Sequence, residues 1–446
     1  MYSGLLYFMK KYLQRGHKEY RRSLRELKQT EWISREKLEA MQLQKIQRLV
    51  KYAFENVPFY RERYQREGLH PQDIKSFKDF QALPFLTRDD VNNNLKLLVS
   101  RVYQGDTYED MTGGSTGTPM HFIMDKRALW ESSAVETRCR GWYGIIPGDK
   151  MAWVWGNPKD FPSWRWRSRL GARIRRRRYL NSRTMDELKM QDFAEMLLRW
   201  QPAMFRAYPS ALYLFASYLK EQNVLNIRPK LIEVGAEKTT LQQRQLFEEV
   251  FQAPVADAYG AWESGSIAYQ CPEGSLHIIE NRYIELVSGD QVVPPGQMGD
   301  VVITPLNQYA MPFIRYKNND IGILESASCA CGRNMPVLRE VVGRDCDLLV
   351  NPVGKVVHWS SIKIIIEKIP GIYRYQVYQP DKQHIEVRLL CKQLPDTAKL
   401  EAHISNELQP CFGDKMLISV KLVNHIEFTK AGKHRYIISE VKPDSY

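Results

Sequence analysis

Between Met151 and Phe251 the chain changes its hydrophobic period several times. "MAWVWG", "AMFRAY" and "LIEVGAE" are short apolar runs of strand length, whereas "SALYLFASYLKEQ" and "TTLQQRQLFEEVF" spread their apolar residues at helical spacing. Strands and helices that alternate in this way must bury their apolar faces against one another. The stable solution is an α/β fold, with the alternation running from Met111 to about Glu340.

On either side the pattern differs. The stretch up to about residue 97 reads as helices, with "SREKLEAMQLQKIQRLVKYAFENV" amphipathic and the following segment alternating prolines with short helical runs. After "VVGRD" the chain reads as a hairpin over "DLLVNPVGKVV", a helix over "SSIKIIIEKI" and paired strands over "YRYQVYQPDKQHIEVRLLC". The expected organisation is a large domain over residues 1–343, opened by a helical prelude over 1–97, and a small α+β domain over 344–446.

A chain of 446 residues, 43% of them hydrophobic, can bury a core of that size. No run approaches the roughly 18 apolar residues of a membrane span, and the charged start does not resemble a secretory signal. The cytoplasm is the expected compartment. Seven cysteines at irregular spacing fit reduced thiols or a metal site better than a disulfide framework. The formal charge of +13 favours anionic partners. Its densest source is "RWRSRLGARIRRRR", from Arg165 to Arg178, where arginines flank Trp166 and Trp164 precedes them. The ordinary reading is a solvated helix face; the functional one is contact with an anionic membrane surface or a lipid-linked polysaccharide precursor at the inner face of the membrane. No helix-turn-helix, zinc-finger or RNA-binding signature accompanies the patch, so nucleic acid is the least favoured partner.

"MTGGSTGTPM" reads either as a solvated turn or as a ligand-holding loop. Glycines allow close backbone approach, and Thr112, Ser115, Thr116 and Thr118 supply hydroxyl donors around Gly113, Gly114 and Gly117. Phosphate is the natural ligand, yet no lysine follows Gly117, which excludes a Walker-type loop. Further along come "DAYGAWESG", "MPFIRYKNNDIG", "VVGRDCD" and "FTKAGKHRYIIS". In this order and spacing the stretches resemble the core motifs of the adenylate-forming superfamily of acyl-CoA synthetases, peptide-synthetase adenylation domains and luciferases. Within it the chain is most similar to the phenylacetate–CoA ligase branch, and closest to that branch's capsular-polysaccharide proteins. The resemblance covers about residues 31–443, including "YAFENVPFYRERY" and "LPFLTRDDV".

What the resemblance implies can be written residue by residue. Residues 112–118 would cradle the phosphates of ATP, with Thr116 assisting the reaction. Glu263 would help hold Mg²⁺, a hard cation suited to carboxylate and phosphate oxygens. Gly235, Ala236 and Glu237 would wrap the adenine, and Tyr259 beside Gly260 would lie against it. Asp320 would accept both ribose hydroxyls, and Arg344 would contact ribose or α-phosphate. Lys433 would bridge the carboxylate and the α-phosphate during adenylation, as befits a compact, mobile point charge. Cys346 stands where the family usually carries the hinge aspartate of the small domain. Trp142, Tyr143, Trp155, Tyr208 and Trp262 are candidate lining for the acid pocket.

Cys271 and His277 in "CPEGSLH" and Cys329 and Cys331 in "SCACGR" could make a closed tetrahedral zinc site, with buried free thiols as the alternative. Similar cysteine-rich segments occur in the branch the chain resembles. Three readings follow from the whole. The first is an ATP- and Mg²⁺-dependent ligase that activates a carboxylic acid as its acyl-adenylate and passes the acyl group to coenzyme A or another acceptor. The second is an amide- or ester-forming ligase of surface-polysaccharide biosynthesis, and the third a catalytically silent scaffold at the membrane.

Overall fold

The structure is a computed structural model that describes residues 17–112, 120–156, 176–344, 349–354, 356–357, 362, 365–366, 369, 371–391, 397–427 and 434–441. The arginine-rich run up to residue 175, the loop 113–119, Cys346 and Lys433 lie outside these residues.

The chain opens with α1 (His17–Thr30), α2 (Arg35–Asn56), α3 (Pro58–Arg66), α4 (Phe77–Gln81) and α5 (Arg88–Leu98). Local chemistry sets their ends. Ser34 caps α2 by accepting from the Lys37 N–H, and Pro58 begins the next helix where its missing N–H costs nothing. Thr87 and Asp90 form a reciprocal capping box at α5. The buried face of α2 is Leu38, Gln42, Ile46, Leu49, Val50 and Ala53, the spacing of one helical stripe.

A two-stranded hairpin follows, β1 (Thr107–Met111) with β2 (His121–Asp125), then α6 (Lys126–Gly141). Next come β3 (Met151–Trp155), β4 (Arg177–Asn181), α7 (Glu187–Trp200), β5 (Met204–Ala207), α8 (Pro209–Glu221), β6 (Leu231–Gly235), α9 (Leu241–Phe251) and β7 (Val255–Ala261). The strands and helices expected between Met151 and Phe251 are therefore present. β4, β3, β5, β6 and β7 lie side by side and parallel. The sheet then continues antiparallel through β8 (Gly265–Gln270), β9 (Leu276–Ile278), β10 (Arg282–Ser288), β11 (Gln291–Val292), β12 (Met298–Pro305), β13 (Tyr316–Glu325) and β14 (Val337–Arg344), giving the order β11-β10-β12-β13-β14-β9-β8-β7-β6-β5-β3-β4 across 12 strands.

Side-chain alternation divides the parallel half into two faces. Phe205, Ala207, Ile232 and Val234 face α7, α8 and α9, packing with Leu197, Phe215, Leu219, Phe247 and Phe251. Met204 and Leu231 face the other way, onto Tyr20 and Leu27 of α1 and Ala134, Val135 and Cys139 of α6. Each of these large apolar side chains contributes about 1.5–3 kcal/mol by leaving water. Arg206 and Glu233 share this second face and join Arg140 and Glu136 of α6 in a buried network. Arg140 meets Glu233 through two hydrogen bonds of 2.7 Å, and Arg206 reaches Glu136 at 2.9 Å.

The C-terminal part is a separate small domain: a short hairpin of β15 (Leu349–Val350) and β16 (Val356–Val357), then β17 (Ile372–Asp381), β18 (His384–Cys391), α10 (Thr397–Phe412), β19 (Leu417–Leu422) and β20 (Ile437–Ser439). Its four-stranded sheet runs β19-β18-β17-β20 over a core that includes Ile362, Val377, Leu389 and Ile404. Among the described residues no helix is long and apolar enough to cross a membrane.

Candidate active site and metal centre

In an open sheet of parallel strands, ligands bind in the crevice beyond the strands' carboxyl ends. Several of the sequence-predicted residues lie there. Gly235, Ala236 and Glu237 leave the end of β6, and Tyr259, Gly260 and Glu263 belong to the end of β7 and the turn after it. Gly235 is obligatory, because a Cβ would stand 2.6 Å from the Ala258 carbonyl. Ala236 turns the chain with a φ of 69°, unusual for a residue with a side chain.

The turn that carries Glu263 is held from below. Fully buried Arg282 donates to the Ser264 carbonyl at 2.7 Å, and Gln308 donates to the Glu263 carbonyl at 3.1 Å. Gly265 has a φ of +69° and would drive a Cβ to 2.6 Å from the Ser132 hydroxyl. Neither Arg282 nor Gln308 was legible as a site residue, since each acts on the backbone of a segment distant in sequence. The buried side of Glu263 leaves only 6% of the residue exposed.

Asp320 sits on β13 and is joined to Tyr259, whose hydroxyl donates to its carboxylate at 2.6 Å; Asn318 donates to both, at 2.7 and 2.9 Å. Burial, reinforced by Asp320, pushes the Tyr259 hydroxyl well above its usual range. Arg344 lies directly opposite Asp320 in the β13–β14 register. Asn318 could have been found from its place two residues before the aspartate.

The glycine-rich loop connects β1 to β2. Its closure is described: Thr112 N donates to the Met120 carbonyl at 2.9 Å, Met120 N donates to the Thr112 hydroxyl at 3.0 Å, and Arg88 donates to the same hydroxyl at 3.1 Å. Gly113, Gly114, Ser115, Thr116, Gly117 and Thr118 lie outside the described residues, as does Lys433. Its neighbour His434 is described, and its N–H donates to Glu237 at 3.0 Å. Burial pushes the His434 imidazole down to about 3.

Some expectations are corrected. Trp142 does not line a pocket at the strand ends: its N–H donates to Glu31 at 2.7 Å and its ring stands 6.2 Å from that of His277, on the α1 and α6 side of the sheet. Tyr143 packs there too and donates to the Gln270 carbonyl at 3.0 Å. Trp155, the last residue of β3, and Tyr208, just after β5, do meet, with ring centres 3.9 Å apart. Arg315 is structural, paired with Glu285 at 2.9 and 3.1 Å in the interior. Arg177 and Arg178, at the end of the basic run, belong to strand β4 and lie over Trp153 and Trp200 at 4.8 and 5.2 Å, so this end of the run is not a helix face.

Cys271, His277, Cys329 and Cys331 converge on one point, with their ligand atoms all within 4.8 Å of one another. Cys271 Sγ and Cys329 Sγ are 3.7 Å apart, and His277 Nε2 and Cys331 Sγ 3.2 Å. Bonds of about 2.3 Å to sulfur and 2.0 Å to nitrogen, set at tetrahedral angles, require separations of about 3.8 and 3.5 Å. The donor set therefore fits a closed zinc centre. Burial pushes the Cys271 thiol up to about 12, and lowers the His277 imidazole below its ordinary value.

A 12-stranded sheet with five parallel strands continued by antiparallel ones, a separate two-stranded hairpin that carries the glycine-rich loop and a small domain that meets the parallel strand ends make the fold that of the adenylate-forming ligases. The 2-hydroxyisobutyryl-CoA ligase superposes in its postadenylation state with a TM-score of 0.76, at 20% identity and over 92% of this chain and 91% of that one. In its thioesterification state the TM-score is 0.62. The chain is a homologue of CapK and of the phenylacetate–coenzyme A ligases. It is 23% identical to Protein CapK of Staphylococcus aureus over 411 residues, 90% of this chain and 89% of that protein. It is 26% identical to the phenylacetate-coenzyme A ligase of Thermus thermophilus over 360 residues, 78% of this chain and 79% of that enzyme. Residues 349–440 match the family described as the CapK C-terminal domain.

Proposed function

We propose that this protein is an ATP-dependent ligase that joins a small carboxylic acid to AMP and then passes the acyl group to coenzyme A or another acceptor. One observation carries the reading: the segment that follows Lys433 is hydrogen-bonded through His434 to Glu237, at the carboxyl end of β6 where a nucleotide would sit. The higher likeness to a postadenylation structure than to a thioesterification structure agrees with that docking.

In this reading Thr112 and the loop of Gly113, Gly114, Ser115, Thr116, Gly117 and Thr118 grip the phosphates. Gly235, Ala236, Glu237, Tyr259 and Gly260 flank the adenine, and Asp320 and Arg344 hold the ribose side. Glu263 is the carboxylate suited to Mg²⁺, which when bound offsets the charge on the phosphates. Lys433 orients the two anions in line. The boundary between the domains falls near residue 344, with Cys346 at the hinge. ATP–pyrophosphate exchange over a panel of aryl, fatty, amino and uronic acids tests the reading, with at least one acid expected to exchange and none doing so counting against it.

A second reading keeps the chemistry and changes the acceptor. Similarity to CapK along nine-tenths of the chain favours an amine or hydroxyl on a polysaccharide precursor, recognised at the inner face of the membrane with help from the basic run of Arg165 to Arg178. Trials of coenzyme A against amino sugars, after exchange has identified the acid, separate the two.

The cysteine and histidine cluster is proposed as a structural zinc centre, since four protein ligands close the coordination sphere. Elemental analysis of protein purified without added metal is expected to give about one zinc per chain, and Cys331→Ser to lose it. Metal-free protein whose thiols at 271, 329 and 331 all react freely would rule the centre out.

A further inference from the structure

We infer that Glu237 and Gln243 form a two-pronged latch that holds the small domain in the arrangement used for adenylation; the inference rests on the ligase reading above and assigns a positioning role within it. The first prong is the Glu237 carboxylate. It accepts from the Ser210 N–H and hydroxyl, both at 3.0 Å, at the start of α8. It also accepts from the His434 N–H at 3.0 Å, and so ties the large domain to the small one. Ser210 N–H is one of the first-turn donors that a helix leaves without an internal partner, so the carboxylate is anchored before the small domain arrives.

The second prong is Gln243 in the first turn of α9. Its carbonyl oxygen caps Thr240 N at 3.0 Å, which turns its amide nitrogen outward to donate to the Tyr436 hydroxyl at 2.9 Å. Both prongs rise from the segment directly after β6, and both receive one short strip, residues 434–436. That strip leads into β20, which pairs in parallel with β17, so it moves with the small-domain sheet. His434 is fastened to the same sheet, its Nε2 lying 2.8 Å from the Tyr375 carbonyl.

A rigid rotation of the small domain must therefore break both prongs together. Hydrogen bonds to a carboxylate are roughly twice as strong as neutral ones, yet a latch of one charged and one neutral bond remains weak enough to release. The register matters chemically, because Lys433 precedes His434 in the chain. Fixing His434 limits where that lysine can be carried.

The test uses the full-length protein with fluorophores at exposed Leu188 in the large domain and Leu417 in the small one. Glu237→Gln and Tyr436→Phe are compared with the parent protein, the second sparing every group assigned to nucleotide contact. Each is expected to shift the interdomain distance distribution and to slow pyrophosphate exchange about tenfold or more. For Tyr436→Phe, transfer from a supplied acyl-adenylate is expected to be unchanged or faster. For Tyr436→Phe the loss falls on kcat and leaves KM for ATP as it was. Unchanged distance and an unchanged ratio of the two half-reactions would overturn the latch while exchange by the parent protein still upheld the ligase reading. A shifted distance in a parent protein that exchanges no acid would overturn the ligase reading and leave only a docking contact.

Discussion

Lys433→Ala is expected to slow acyl-adenylate formation by at least about 10²–10³-fold, the usual effect of deleting one preorganised charge or donor from a transition state. Transfer from a supplied acyl-adenylate should stay within severalfold of the parent protein. The reason is the separation of tasks: an ammonium that bridges carboxylate and α-phosphate acts while the acyl–phosphate bond forms and has no partner of that kind when the thiol or amine attacks. Pyrophosphate exchange and single-turnover transfer measure the two steps independently. Equal loss in both would contradict the assignment. The interdomain distance distinguishes this variant from the latch variants, since Lys433→Ala removes no bond that ties His434 to Glu237 and should leave the distance unchanged.

Removing Arg140 is expected to be the most damaging change away from the site. Its guanidinium makes two hydrogen bonds of 2.7 Å to Glu233, with only 9% and 2% of the two side chains exposed, and lies 3.1 Å from Glu136. Arg140→Ala leaves the buried Glu233 carboxylate with Arg206 at 3.5 Å and the Tyr269 hydroxyl at 2.8 Å, and breaking such a pair costs about 3–5 kcal/mol. Thermal or denaturant unfolding checks it. Acid offers a second check. Burial opposes ionisation of Glu136, yet Arg140 and Arg206 outweigh it and hold the carboxyl down at about 2, against an ordinary 4.5. A depressed carboxylate stabilises the fold fully above its unfolded value, and that contribution is lost as pH falls from about 4.5 through 2. Without Arg140 the stability profile in this window should flatten. A variant as stable as the parent at neutral pH, with the same acid profile, would show the network to be dispensable.

Much of this protein follows from short-range pattern. The strands at Met151–Trp155, Met204–Ala207 and Leu231–Gly235 and the helices between them could be read from period alone, because a two-residue or 3.6-residue repeat is a property of neighbours. Residue types suited to phosphate and to zinc stand together in short segments, Thr112 with its loop and the Cys271 and Cys329 segments, whereas the roles expected of Glu263 and Asp320 came from resemblance to a family and not from their neighbours. Geometry between distant segments was not. Cys271 and Cys329 stand 58 residues apart, and only the pairing of β9 with β8 and β14 brings them within 3.7 Å. Trp142 shows the limit from the other side. An aromatic residue near a strand is equally apt for pocket or core, and the packing of α6 against α1 sends it to Glu31 and His277 instead of the strand ends. Glu233 is one charge inside an apolar strand, and its partner Arg140 lies 93 residues earlier. Glu237 was expected near the nucleotide only from the family resemblance, and its bond to His434 spans 197 residues and exists only because the small domain folds back onto the end of β6. Composition and period act through neighbours along the chain, whereas the latch, the ion network and the metal geometry depend on which faces meet after the whole chain has packed.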